Sequence, residues 1–190
     1  MPKQIKYTKE MILSTGIEMI RESGIEIISA RNIAKRLNSS SQPLFSYFSN
    51  MDDLKNELRK EADKLYSRYI EEGLKENIPF KAAGIKFIQF AKEEPQLFKF
   101  LFLQKNDDNL VSLNYLPNTD SNADVILETV IKEYGLSKED AKKLYNHLTI
   151  YTFGIASLLA NGSISFDLKE INILLSDMFL SLIKNYKSNK

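Results

Sequence analysis

The sequence has no cysteine and a single histidine, His147. The first absence excludes disulfides, thiolate metal sites and a thiol nucleophile. The second leaves no imidazole pair for a metal. There is also no His-Glu-x-x-His motif and no Gly-rich phosphate loop. The carboxylates sit at helix caps and on solvent faces. No enzymatic activity, cofactor or metal is therefore expected. Glycine and proline are scarce, seven and five in 190 residues, and no segment sustains period-2 alternation. The fold class read from this is all-α. Long apolar runs are missing too. An uncharged stretch, Asn146 to Phe166, has an apolar heart of 13 residues, Leu148 to Ala160, broken by Thr149, Thr152 and Ser157. A membrane span needs about 20, so this is read as a buried or interface helix with no membrane partner. The first residues lack an apolar secretory stretch. With the absence of cysteine, that sets the expectation of a cytoplasmic protein.

What is present is a 43% apolar, 27% charged composition, that of a globular protein, with a net charge of +1. The charge is unevenly spread. Residues 1–50 carry seven basic and four acidic residues, and the remainder carries 19 basic and 21 acidic ones. A basic head on a mildly acidic body is a modest sign of phosphate contact.

Helix punctuation divides the chain. Thr8 is the expected N-cap of a first helix ended by Gly24, with Gly16 inside it implying close approach of a neighbouring helix. Ser29 caps a second, Ala30 to Leu37. Asn38-Ser39-Ser40 forms a turn, and a third short helix is predicted from Ser41 to Phe48. Asn50 caps a fourth, running from Met51 to about Glu76, with Asp52 and Asp53 in its first turn. Pro79 and Pro95 start further helices, and Lys105 to Asp124 reads as a loop. Val125 to Tyr134 is the next helix, ended by Gly135. Ser137 and the box Asp167-Leu-Lys-Glu170 open two long final ones. Domains are expected at 1–50 and 51–190.

Residues Ser29 to Leu54 have the helix-turn-helix pattern, whose second helix enters the DNA major groove. Ser40, Ser41 and Gln42 suit base edges and phosphates, Pro43 and Leu44 offer apolar surface to a thymine methyl, and Tyr47 could reach a phosphate. Leu44 could equally anchor its helix in the core. Lys6, Lys9, Arg31, Lys35 and Arg36 are candidate phosphate contacts, helped by the helix N-terminus at Ser29.

Several of these positions together resemble the tetracycline-repressor-like (TetR) family. They are Ser29, Ile33-Ala34, Leu37-Asn38, Leu44-Phe45, Phe48 and Asp53-Leu54, within residues 8–60. Phe90 to Phe98 and Tyr151 to Leu159 resemble segments of the same regulators' ligand-binding halves. The resemblance implies a ligand-responsive transcriptional regulator. An N-terminal helix-turn-helix head would be joined by a long helix to a ligand-binding and dimerisation body. Repression, with release by a small hydrophobic effector, is the family's default. Asn38 stands where the family usually has Gly, Phe45 where it has Tyr, and Met51 where it has Lys. Phe45 is carried over as a DNA-facing position.

In the body, Phe87, Phe90, Phe98, Phe102, Tyr115 and Tyr151 are candidates to line an apolar effector cavity. Gly154, Ala156, Ser157 and Ala160, with Leu175, Met178 and Phe179, are candidates for a homodimer interface of four helices. A two-fold dimer would read a palindromic operator in double-stranded DNA. Two other readings share these features: a dimeric helical protein that does not bind DNA, and a DNA-binding regulator controlled by a partner protein.

Overall fold

The computed structural model describes residues 7–104 and 122–188. Among them every α-helix begins and ends where local chemistry dictates. Helix α1 (Lys9–Ser23) starts at Thr8, whose hydroxyl accepts from the Met11 amide at 3.2 Å. It ends at Gly24, at φ 81° and ψ 177°, a backbone region that side-chain-bearing residues avoid. A single 3-10 turn, Ile25–Ile27, follows. Helix α2 (Ala30–Arg36) is capped by Ser29 Oγ, which accepts from the Asn32 amide at 3.2 Å. It closes in a Schellman arrangement. Asn38 is left-handed at φ 50°, its amide bonds the Lys35 carbonyl, and the Ser39 amide bonds the Ala34 carbonyl. Asparagine thus performs the turn that glycine usually makes, because its short polar side chain tolerates that conformation.

The expected third α-helix is instead one 3-10 turn, Leu44–Ser46. Its bonds are three residues apart (Leu44 to Ser41, Ser46 to Pro43, Tyr47 to Leu44), and Phe48 to Leu44 is the single four-residue step. The serines before Pro43 bond locally instead, Ser39 Oγ donating to the Ser40 carbonyl at 2.9 Å.

Helix α3 (Met51–Leu74) begins beside Asn50, whose Oδ1 accepts from the Asp53 amide, while Asp53 accepts from the Ser49 amide, both at 2.9 Å. The remaining helices are α4 (Pro79–Glu93), α5 (Pro95–Phe102), α6 (Ala123–Tyr134), α7 (Lys138–Ala160) and α8 (Leu168–Ser188). Asp167 and Glu170 cap α8 reciprocally, each accepting the other's amide at 2.8 Å. The predicted loop at 105–124 lies outside the described residues up to 121.

The chain folds as two compact units. The first runs to Leu65 and includes Gln96–Gln104, so the boundary falls inside α3 rather than at residue 50. Its core draws on Ile12, Ile20, Ile33, Leu44, Leu54, Leu58, Leu97 and Phe98, all essentially inaccessible. Gly16 lets α1 and α3 close up. A Cβ there would sit 2.6 Å from Leu58 Cδ2. Arg59 caps the end of α5, donating to the Phe100 carbonyl at 2.9 Å and to the Leu101 carbonyl.

The second unit, Tyr66–Pro95 with the later helices, has α4 at its centre, packed on α7 and flanked by α6 and α8. Gly73 brings the end of α3 onto α4, where a Cβ would lie 2.8 Å from the Ala83 backbone. Among the described residues no helix is long and apolar enough to cross a membrane.

Candidate functional site

In the first unit, α2 and the 3-10 turn bury Ile33, Ala34, Leu44 and Phe48 and leave their other sides in solvent. Arg31 and Lys35, one helical turn apart, form one exposed stripe on α2. On the turn, Gln42, Phe45 and Ser46 are exposed, Phe45 at 51%. Ser40 is exposed, while Ser41 and Pro43 are half-buried. No acidic residue occurs between Glu26 and Asp52, a local charge signal sharper than the average over residues 1–50.

Five expected contacts have other duties. Leu44 is 1% exposed, so its role is to anchor the turn, not to touch a base. Lys9 Nζ lies 2.6 Å from Glu57 and 5.6 Å from the Phe48 ring centroid, tying α1 to α3. Tyr47 is half-buried and its hydroxyl donates to the Tyr7 carbonyl at 3.1 Å, while the Tyr7 hydroxyl donates to the Asn38 carbonyl at 3.3 Å. The phenol therefore braces the turn. Arg36 is paired with Glu22 through both guanidinium nitrogens. Ser29 serves as the α2 cap, and Lys6 lies outside the described residues.

The ammonium groups of Lys60 and Lys9 hold the Glu57 carboxyl well below its ordinary 4.5, down to about 2. A carboxyl depressed by folding stabilises the fold above its unfolded pKa, and that contribution is lost as pH falls from about 4.5 towards 2. Glu57→Gln should therefore flatten the acid limb of the stability curve in that window, read by denaturant midpoints at stepped pH. A limb identical to that of the native protein would remove the Glu57 pairs from the account.

The second unit holds a partly open cavity of about 70 Å³. Tyr66 and Ile70 of α3, Phe80, Lys81, Ala83, Gly84 and Phe87 of α4, and Ile126 of α6 form one side. Tyr145, Leu148, Thr149 and Thr152 of α7 and Leu175 and Phe179 of α8 form the other. Gly84 lies on the lining, where an added Cβ would sit 3.6 Å from Thr152 Cγ2 and 3.8 Å from Leu175 Cδ1. Thr152 is buried and donates within its own helix, to the Leu148 carbonyl at 2.9 Å or the Thr149 carbonyl at 3.0 Å. Beside the cavity the Tyr134 ring stacks 4.9 Å from Phe179 and 6.2 Å from Phe80. Its hydroxyl donates to Glu133, which also accepts the Phe80 amide at 3.2 Å. Burial, then the Glu133 carboxylate, raises the Tyr134 phenol well above its ordinary range, so it stays protonated.

Of the expected effector residues, Phe87 lines this cavity. Phe90 is wholly buried in packing, 5.3 Å from the Tyr69 ring and 5.4 Å from that of Tyr66. Phe98 and Phe102 stack on each other at 5.2 Å in the first unit. Tyr151 is half-buried and not part of the lining, and Tyr115 lies outside the described residues.

No family model and no curated protein matches the sequence. Among solved structures, a tetracycline repressor (TetR) variant from Acinetobacter baumannii AYE, in complex with minocycline, matches along nearly the whole length. The alignment covers 96% of this chain and 98% of that one, with a TM-score of 0.56 and 16% identity. This chain has a TetR-like fold.

Within the TetR-like fold the final two helices differ from the interface expected of them. Ala156, Ala160 and Leu175 are buried inside the chain itself, and Leu175 and Phe179 line the cavity. Ser157 and Met178 are half-buried. Gly154 is exposed, with nothing within 4 Å of an added Cβ. Ile150 and Leu158, one helical turn to either side of it on α7, and Ile173 and Leu180 on α8 stand between 47% and 60% exposed. Sequence reasoning missed these four, and also Lys81, Gly84, Thr149 and Thr152 of the cavity. A usable signal existed for the last two. Tyr145, Leu148, Thr149 and Thr152 share one helical face, so the threonines are more than interruptions of an apolar run.

Proposed function

We propose that this protein is a DNA-binding transcriptional regulator, a repressor, that binds a palindromic operator as a homodimer and is released by a small apolar effector. The observation that carries the reading is the head surface. Arg31, Lys35, Gln42 and Phe45 project from two short helical turns whose opposite sides are locked into a core. Two cations suit phosphates, an exposed amide suits adenine, and an exposed aromatic suits a thymine methyl. The cavity supports the effector. The structural neighbour holds minocycline, and the lining residues here are mostly apolar, joined by Tyr66, Tyr145, two threonines and Lys81, a set suited to binding. A non-enzymatic, cytoplasmic role follows from the same reading.

Release requires a ligand with unequal affinity for two arrangements. At about 70 Å³ the cavity is under half the ~150 Å³ that admits benzene in an engineered protein core. An effector would therefore favour an expanded arrangement in which α4 or α8 has moved. Helix α3 carries Tyr66 and Ile70 on the cavity and Leu54 and Leu58 in the head core, so it is the element through which expansion would reach the DNA surface. Each tenfold loss of DNA affinity needs about 1.4 kcal/mol of that differential.

The test is fluorescence polarisation with a labelled duplex between about 50 and 200 mM salt. Affinity should fall steeply with salt, and Arg31→Ala and Lys35→Ala should each reduce the log–log slope by about one without lowering the melting temperature. Absent or salt-insensitive binding would instead favour a helical dimer with no role on DNA.

The exposed stripe of Ile150, Leu158, Ile173 and Leu180 supports a second copy of the chain as its cover. Gly154→Leu separates interface from fold. The new side chain meets open space in one chain, and the helix gains propensity, about 1 kcal/mol. Monomer in sedimentation with an undiminished melting temperature is expected. An intact dimer would exclude Gly154 from the interface.

A further inference from the structure

We propose that the cavity of the second unit takes an organic anion, with an aromatic or aliphatic body in the apolar interior and one carboxylate-type group at Lys81. This rests on the reading of that cavity as a ligand site and names the ligand's chemistry.

The lining is apolar apart from a few hydroxyls and one formal charge. Lys81 is charged; no aspartate or glutamate contributes to the lining among the described residues. Its situation differs from that of the other lysines of α4. Lys86 pairs with Glu72 at 2.7 Å, and Lys92 donates to the Phe166 carbonyl at 2.9 Å. Lys81 has no acidic partner among the described residues and is half-buried at the cavity's edge. It stands in the first turn of α4, where the Phe80 amide is already met by the Glu133 carboxylate at 3.2 Å, so Lys81 and not the helix end is what an incoming anion would meet. A lysine with no acidic partner among the described residues, beside an apolar void, sets a directional preference. A carboxylate entering the cavity replaces part of its lost hydration with a charge-assisted hydrogen bond. An amine brings a second positive charge, and an alcohol brings no charge. Without the lysine, the carboxylate becomes the worst fit, because its desolvation is uncompensated.

That reversal is the test. 4-Phenylbutanoate, 4-phenylbutan-1-ol and 4-phenylbutylamine share one body and differ in the head group. Each is titrated calorimetrically into the intact protein and into Lys81→Met, which keeps the apolar stem. In the native protein the carboxylate should bind about tenfold or more tighter than the alcohol, and the amine most weakly. In Lys81→Met the alcohol should be unchanged and the carboxylate should fall below it. Gly84→Leu, which fills the space facing Thr152 and Leu175, should block all three. If alcohol and carboxylate bind the native protein alike, or the amine binds best, the anion assignment is overturned while the cavity stands as a ligand site. Binding that survives Gly84→Leu places the ligand elsewhere and overturns it too. No heat from any of the three removes the cavity as a ligand site, and the assignment with it.

Discussion

Leu44→Ala is expected to destabilise the first unit by about 2–5 kcal/mol and to abolish DNA binding as a consequence. Leu44 is 1% exposed, and the 3-10 turn it belongs to has too few hydrogen bonds to hold itself. A turn this short depends on tertiary packing. Removing the side chain leaves a void in the buried core of the first unit. Leu44→Met conserves volume and should cost under about 1.5 kcal/mol, with DNA binding retained. Phe45→Ala, one residue on, should shift stability by no more than about 0.5 kcal/mol while weakening binding, because Phe45 is 51% exposed. Denaturant midpoints and polarisation on the same three variants decide it. An unchanged midpoint for Leu44→Ala would mean the side chain faces DNA after all.

Phe90→Ala should be the most damaging change in the second unit, at about 3–5 kcal/mol. The ring is fully buried and makes angled contacts with Tyr66 and Tyr69, within 5.4 Å of both. Phe87, three residues earlier, is half-buried on the cavity wall, 6.0 Å from the Tyr66 ring. Phe87→Ala should cost less and should change the affinity for 4-phenylbutanoate directly. In a chain of this size each kcal/mol lowers the melting temperature by about 2–4 °C, so calorimetry separates the two variants. Equal melting temperatures would contradict the assignment of Phe90 to packing and Phe87 to the cavity.

Helix existence was legible because caps are local chemistry. Thr8, Ser29, Asn50, Ser137 and Asp167 each accept an amide two or three residues into the helix that follows, as their positions before apolar-periodic runs imply. The left-handed turn at Asn38 was legible for the same reason. The third helix was overestimated because apolar spacing from Leu44 to Phe48 suits an α-helix, while the preceding serines bond locally and Phe48 to Leu44 is the one four-residue bond of the segment.

The sites were harder to read because periodicity marks an inward face without saying what meets it. Phe87 and Phe90 are both inward, but packing fills the space around one and leaves room beside the other. The same limit applies to α7, which is apolar nearly all round. Small residues suggested close approach by a second chain, yet Ala156 and Ala160 face their own core while Ile150, Gly154 and Leu158 face outward. Lys81 gave no signal at all, since a lysine at a cavity edge looks like any other in a linear string.

The most direct measurement of the central claim is selection of bound duplexes from a random-sequence pool by the intact protein. Two copies presenting the same turn about a two-fold axis should enrich an inverted repeat, with half-sites about 34–36 Å apart along the helix. Enrichment of no sequence, or of one without that symmetry, would contradict it.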